Sequence, residues 1–194
     1  MGDCGIADGP SAVLVPVKAF AVAKVRLAPV LAGAERARLA RTMAARVLDA
    51  ALPLPRYVAC DDDDVAAWAT AIGADVIWTP GLGLNGAVTR GVEVLAARGF
   101  AEVVVAHADL PAATALPRLL GFGGVTLVPD RRDDGTNVAC VPSRAGFTFG
   151  YGQGSFARHR EETLRLGLDL RVARVPDLQW DVDTPQDLAL TAPA

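Results

Sequence analysis

Two short acidic motifs carry the side chains best suited to chemistry: Ala108-Asp109-Leu110-Pro111 and Trp180-Asp181-Val182-Asp183-Thr184-Pro185. Each follows a strand-like run, Val103 to Ala106 in the first case and Leu170 to Val175 in the second. Carboxylates gathered at strand ends of an α/β sheet are how such folds hold Mg²⁺ against a nucleotide's phosphates. Asp109, Asp181 and Asp183 are therefore the candidate metal ligands. Spaced i, i+2 in an extended segment, Asp181 and Asp183 point to the same side, which suits shared coordination. The plainer alternative is a turn carboxylate at Asp109 and a helix cap from Asp181 or Asp183, since Thr184-Pro185 reads as a helix start.

Cations that could meet a nucleotide sit just after the first strand. Lys18, Lys24 and Arg26 follow Ala12 to Val17, at the edge where α/β folds bind phosphates. The loop is neither a Walker loop nor a Gly-x-Gly-x-x-Gly turn, and a solvated basic loop is its bland reading. In Pro80-Gly-Leu-Gly-Leu-Asn85-Gly-Ala87, glycines permit close backbone approach, and Asn85 could cap a helix or contact a base or ribose. Asp134-Gly-Thr136-Asn137 and Gly152-Gln-Gly-Ser155-Phe-Ala-Arg-His159 both offer hydroxyls and backbone N–H groups. The second opens a helix, a ready site for a phosphate or carboxylate. His159, one turn inside, reads as structural. No Gly-x-Ser-x-Gly elbow marks a serine hydrolase.

Elements that must position these groups alternate. Strands are expected at Ala12–Val17, Tyr57–Cys60, Asp75–Trp78, Glu102–His107, Gly124–Val128 and Asn137–Val141. Helices are expected at Glu35–Leu52, from the Asp61–Asp64 run to Ile72, at Asn85–Arg98, at Thr114–Leu120 and from Ser155 to Leu166. In the Asp61–Asp64 run one carboxylate caps a helix and the others are solvated. Such alternation implies an α/β fold: a mixed, mainly parallel sheet with helices on both faces, a three-layer sandwich. Arg131 to Gly154 breaks the alternation and reads as a substrate loop, although the charge pattern of its Asp130–Asp133 segment points to no particular role.

With 194 residues and 52% apolar content, a substantial core and one domain (11–194) are expected, preceded by a loose tail (1–10). A net charge of −3 argues against nucleic-acid binding. Three cysteines (Cys4, Cys60, Cys140) without a Cys-x-x-Cys pair fit a reducing compartment. No apolar run spans a membrane and no secretory pattern opens the chain, so a cytoplasmic location is expected.

Taken in order, the motifs resemble the guanylyltransferases of coenzyme F420 biosynthesis. The resemblance runs from Val13 to about Leu190. It rests on Val-Pro-Val-Lys18 with Lys24-x-Arg26-Leu27, Gly83-Leu-Asn85, Ala108-Asp-Leu-Pro111, Asp134-Gly-Thr-Asn137, Gly152-x-Gly-Ser-Phe-x-x-His159 and Asp181-Val-Asp-Thr-Pro185. It implies a nucleotidyltransferase-type sandwich that transfers GMP from GTP to a small phosphorylated three-carbon acid, phosphoenolpyruvate or 2-phospho-L-lactate, releasing pyrophosphate. On the same resemblance, Asp109, Asp181 and Asp183 bind Mg²⁺, and Lys18, Lys24, Arg26 and Asn85 serve the nucleotide. Thr136 and Ser155, with the backbone at Gly152, hold the acid's carboxylate. Val25 departs from relatives, which more often carry Ser or Thr there. Competing readings are 3-phospho-D-glycerate as acceptor, a molybdenum-cofactor or sugar-phosphate nucleotidyltransferase, and a nucleotide-binding domain that has lost its chemistry. The loop Val17-Lys-Ala-Phe20 argues against the second, whose members carry a glycine-rich loop there. Retention of the aspartates with Lys24, Arg26 and Ser155 argues against the third.

Overall fold

Strands made almost wholly of Val, Ala and Leu have no solvent face, and this chain covers them on both sides. The computed structural model describes residues 9–190, so most of the expected tail lies outside the described residues. Seven strands form one sheet: β1 (Ser11–Pro16), β2 (Arg56–Cys60), β3 (Asp75–Trp78), β4 (Glu102–Ala106), β5 (Val125–Pro129), β6 (Thr136–Pro142) and β7 (Leu170–Val172). Their order is β3-β2-β1-β4-β6-β5-β7. All neighbours pair parallel except β6, which runs antiparallel to both β4 and β5. The expected strands therefore form, with boundaries shifted by one or two residues.

Alternation along each strand sorts the core into two layers. Val13, Val15, Val58 and Val104 face α1 (Gly33–Ala50) and α2 (Asp63–Ala71) through Ala44, Val47, Leu48 and Val65. Leu14, Ala59, Val103 and Val105 face α3 (Gly83–Ala97) and α4 (Ser155–Arg165) through Val88, Val92, Leu95 and Phe156. Helices thus cover both faces, as the sequence implies. Between Thr114 and Leu120 the chain makes only a 3₁₀ turn, Leu116–Leu119, with Pro117 inside it, instead of a helix. A four-residue α5 (Pro176–Gln179), started by Pro176, was not expected; α6 (Pro185–Leu190) was.

The connections decide where ligands can go. From β1 the chain steps outward to β2 and β3, then returns to place β4 on the opposite side of β1. This reversal opens a crevice at the C-terminal ends of β1 and β4, the switch point at which open α/β sheets bind ligands. The β1 loop and the Asp109 motif both leave from that edge.

Close packing of α3 on β1 requires Gly91. A Cβ there would come within 2.5 Å of Cδ2 of Leu14, itself fully buried. Gly91→Val should destabilise the fold by about 1–3 kcal/mol, the usual cost of overpacking, read as a lower urea midpoint. An unchanged midpoint would show that α3 can back away from the sheet at no cost.

Candidate active site

The loop after β1 is more ordered than a solvated basic loop. It folds as two single 3₁₀ turns, Phe20–Val22 and Val25–Leu27, with Lys24 between them in the left-handed region at φ 52°. Phe20 fixes the first turn by packing edge-on against Trp68 at 5.1 Å, with Arg41 over its ring. A lysine held at positive φ is uncommon, and here the conformation aims its side chain into the crevice. Its ammonium lies 2.6 Å from Oδ2 of Asp109 and 3.0 Å from Oδ1 of Asp183. Arg26, largely exposed, reaches the other Asp183 oxygen at 3.4 Å.

Burial alone would lower the Lys24 pKa, but the two carboxylates outweigh it and hold it above the ordinary lysine value. Asp109 is the mirror case: burial favours its neutral form, and the Lys24 charge overrides this and lowers its pKa. Asp109 keeps one buried oxygen, Oδ1, with no hydrogen-bond partner. Asp181 is pushed up to about 6 by burial and by repulsion from Asp109 and Asp183. Among the described residues no group of three or more His, Cys, Asp or Glu side chains is gathered closely enough to cage a metal. Asp109 and Asp183 instead converge on the lysine.

A cap does exist at the last helix, but neither Asp181 nor Asp183 provides it. Thr184 precedes Pro185 and accepts the Asp187 N–H at 3.4 Å, while Asp187 Oδ2 accepts the N–H groups of Thr184 at 2.8 Å and Asp183 at 3.1 Å. This reciprocal box leaves Asp183 free for Lys24. Asp187 is almost fully buried and also pairs with Arg131 and Arg132. Arg131 in turn lies over the Trp180 ring, 4.2 Å from its centre. Within the same loop Asp130 accepts the N–H groups of Arg132 and Asp134, and Asp133 pairs with Arg174 through two hydrogen bonds. The uninterpreted 130–133 loop is thus a clamp on the segment that presents Asp183. Sequence reading missed Asp187, although Thr184-x-x-Asp187 is a legible capping pattern.

A cavity of about 630 Å³ occupies the crevice, lined by Lys18, Lys24, Arg26, Asp61, Asp109 and Asp183 among others. The other nominated residues do not line it. Asn85, on the first turn of α3, accepts the Tyr151 N–H at 2.7 Å and so anchors the 147–154 loop. Thr136 and Ser155 are buried against each other, the Thr136 N–H donating to Ser155 Oγ at 3.0 Å, with Gly152 just before the α4 start. Aromatic contacts link the two places: His107 on the cavity wall packs 4.7 Å from Tyr151, and Tyr151 packs 4.8 Å from His159.

His159 shows what the Gly-x-Gly-Ser-Phe-x-x-His spacing does. Its Nε2 accepts the Gly150 N–H at 2.9 Å, which puts the ring hydrogen on Nδ1, 3.0 Å from Thr136 Oγ1. The imidazole is a structural pin between loop and sheet, as its position implies. Burial, ahead of nearby charge, lowers its pKa to about 4, so it is neutral in the folded protein.

Sheet order, switch-point crevice and paired acid–base edge define a nucleotidyltransferase fold. It is shared with a nucleotidyl transferase from Methanothermobacter (TM-score 0.66, 17% identity, covering 94% of this chain and 95% of that one). A CMP:2-keto-3-deoxy-manno-octonic acid synthetase complexed with CTP also has it (TM-score 0.58, 14% identity, 93% and 96% covered). The chain belongs to the family described as guanylyl transferase CofC like, whose model matches residues 11–191. It is 38% identical over 185 residues to a phosphoenolpyruvate guanylyltransferase of Sphaerobacter thermophilus, covering 90% of this chain and 89% of that one. A protein of the same description from Rubrobacter xylanophilus is 34% identical, with 91% and 90% covered.

The neutral His159 gives a signed pH effect on stability. Its folded pKa, about 4, lies below the ordinary 6.5, so the unfolded chain binds more protons between those values. Its contribution is complete above pH 6.5 and is lost as pH falls toward 4. Between pH 7.5 and pH 5 the native chain should lose about 2 kcal/mol more stability than His159→Gln, measured by urea unfolding. Equal losses in the two proteins would mean the imidazole is not held neutral.

Proposed function

We propose that this chain transfers GMP from GTP to phosphoenolpyruvate, releasing pyrophosphate, as a step in making coenzyme F420. The observation that carries the reading is the Lys24 bridge between Asp109 and Asp183 at the β1/β4 switch point of a CofC-like guanylyl transferase. The names of the relatives in Sphaerobacter and Rubrobacter support phosphoenolpyruvate over other three-carbon acids.

The attacking group is a phosphate monoester, whose second pKa near 6 leaves its oxygen ionised at neutral pH. No general base is required, and His159 has both ring nitrogens committed to the fold. That oxygen bonds the α-phosphorus of GTP as the bond to the β-phosphate bridging oxygen breaks, and pyrophosphate departs with the electron pair. The difficulty is bringing two polyanions together. Lys24 and Arg26, on the cavity wall, face the triphosphate and the departing pyrophosphate. Lys18 adds a third cation on that wall.

Carboxylate oxygens are the donor type Mg²⁺ takes, although among the described residues they are not gathered into a cage. The unpartnered Asp109 Oδ1 is an open donor for a further cation, and Asp181 and Asp183 would be the other two carboxylates. Bound there, the ion would neutralise charge on the phosphate oxygens. Thr136 and Ser155 would take the acid's carboxylate. The hydrogen bonds of each use its oxygen as an acceptor from Nδ1–H and a backbone N–H, leaving both O–H groups to donate. Gly152 would add its backbone.

Asp109→Asn and Asp183→Asn should each lower turnover at least a hundredfold, while circular dichroism and melting show a retained fold. The assay is GTP with phosphoenolpyruvate, 2-phospho-L-lactate or 3-phospho-D-glycerate, read by product mass and pyrophosphate release. Turnover within a few-fold of the native chain in both variants would remove the metal-edge assignment. A clear preference for 3-phospho-D-glycerate would remove the choice of acid.

A further inference from the structure

We propose that Asp61, with Lys18 beside it, recognises the guanine base of the nucleotide. The proposal rests on the guanylyl-transfer reading of the same cavity and adds the residues that select its base.

Of the four consecutive aspartates, three are accounted for by α2. Asp62 accepts the Val65 N–H at 3.0 Å as the cap, and Asp63 and Asp64 occupy the first turn, where carboxylates complement the helix N-terminus. Asp61 precedes the cap and is the member of the run on the wall of the 630 Å³ cavity. Its partner across the sheet is set by register. Pro16 of β1 pairs with Ala59 of β2, and the Val17 N–H donates to the Ala59 carbonyl at 2.9 Å. Lys18 lies two residues beyond Pro16 and Asp61 two beyond Ala59, so both leave the tips of neighbouring strands, and both are exposed and line the cavity. Among the described residues neither side chain is in a hydrogen bond or ion pair, whereas Lys24, Arg26, Asp109 and Asp183 are all engaged with one another.

Charge then orients the ligand. Phosphates are drawn to the β1/β4 edge by Lys24 and Arg26. They are kept from the tip of the neighbouring β2 by the Asp61 carboxylate. What reaches the β2 tip is the other end of the nucleotide. Guanine alone among the common bases presents two adjacent donors, N1–H and the exocyclic N2–H, next to an acceptor, O6. A carboxylate is an acceptor only and can take both donors at once; an ammonium suits O6 and N7. Asp61 and Lys18 supply that pair. Adenine and cytosine each place a ring acceptor where guanine has N1–H and would leave the carboxylate opposed to a lone pair. Apolar Ala59, Leu84 and Ala87 on the same wall give the ring flat contact.

The test compares GTP, ITP, which lacks the 2-amino group, and XTP, which replaces it with a carbonyl, for native protein and Asp61→Asn. Native protein should prefer GTP to ITP by roughly tenfold in kcat/KM, one hydrogen bond of the pair. Asp61→Asn should lower kcat/KM for GTP roughly 10- to 100-fold, erase the GTP/ITP preference, and raise kcat/KM for XTP, because the amide can donate to the new carbonyl. Melting temperature reports folding of the variant, whose substituted side chain is exposed. A uniform loss with all three nucleotides, or an unchanged GTP/ITP ratio, would overturn the proposal and place Asp61 on the ribose or outside binding. Native protein that transfers no GMP from GTP would instead overturn the guanylyl-transfer reading, a result visible before any variant is made.

Discussion

Two carboxylates cannot be pressed together at the edge of a low-dielectric core without a countercharge, and the architecture of this protein is organised around supplying one. Lys24, from near the start of the chain, stands 2.6 Å from Asp109 in its middle and 3.0 Å from Asp183 near its end. Lys24 and Asp109 would each be costly to bury alone, and each holds the other in its charged form, with the Asp183 carboxylate adding to the field on the lysine. Remove the lysine and the two aspartates repel; remove either aspartate and burial works against the ammonium. The positive φ of Lys24, the 3₁₀ turns on either side of it and the Phe20–Trp68 contact make sense as the means of delivering this one amine to this one place.

Asp183 needs equal support from the other side, because it lies in a stretch without regular structure. The buried carboxylate of Asp187 supplies it by gathering the Asp183 and Thr184 N–H groups, and Arg131 holds that carboxylate while stacking on Trp180. The hairpin between β5 and β6 is thus tied to the C-terminal segment by charge. That tie also explains why β6 runs against its neighbours: an antiparallel strand returns the chain so that residues 130–135 and Thr136 meet the same edge as Asp109. Here a break in the parallel pattern is what lets the last acidic motif reach the first lysine.

Much of this was legible in residue types. Continuous apolar runs rich in Val and Ala located the strands, and their alternation with helices implied cover on both faces. The acidic motifs and Lys24-x-Arg26 marked the edge where chemistry collects. Other features were not legible, for physical reasons that can be named. A capping aspartate and a metal-facing aspartate are the same residue type in the same Asp-rich segment. Only the φ/ψ path of the chain decides that Thr184 and Asp187 take the cap and release Asp183. Asn85 looked able to touch a ligand, yet it holds the Tyr151 backbone, a partner 66 positions away that no local pattern encodes. The 3₁₀ turn in place of a helix after Asp109 reflects Pro117 and the left-handed Ala115, local terms too small to outweigh a hydrophobic spacing read by eye.

Satisfied groups mark much of the scaffold, although Arg131, Trp180 and Tyr151 there also keep a buried polar atom without a partner. His159 uses both ring nitrogens internally and Asp187 uses both oxygens; such groups have already spent their hydrogen-bonding capacity on the fold. By contrast, Asp109 Oδ1, the hydroxyl hydrogens of Thr136 and Ser155, and the side chains of Lys18 and Asp61 are left over. For Asp109 Oδ1, buried and unpaired, that costs about 1–3 kcal/mol, whereas Lys18 and Asp61 are exposed and simply uncommitted. Here the leftover groups run from the β2 tip through the β1/β4 crevice to the start of α4, and their character changes in order. An acceptor and a cation suit a base, cations and carboxylates suit phosphates and a metal, and paired hydroxyl donors suit a small carboxylate. That sequence of demands matches a nucleotide laid across the strand tips with an acid beyond its phosphates, an arrangement that neither acidic motif could have specified alone.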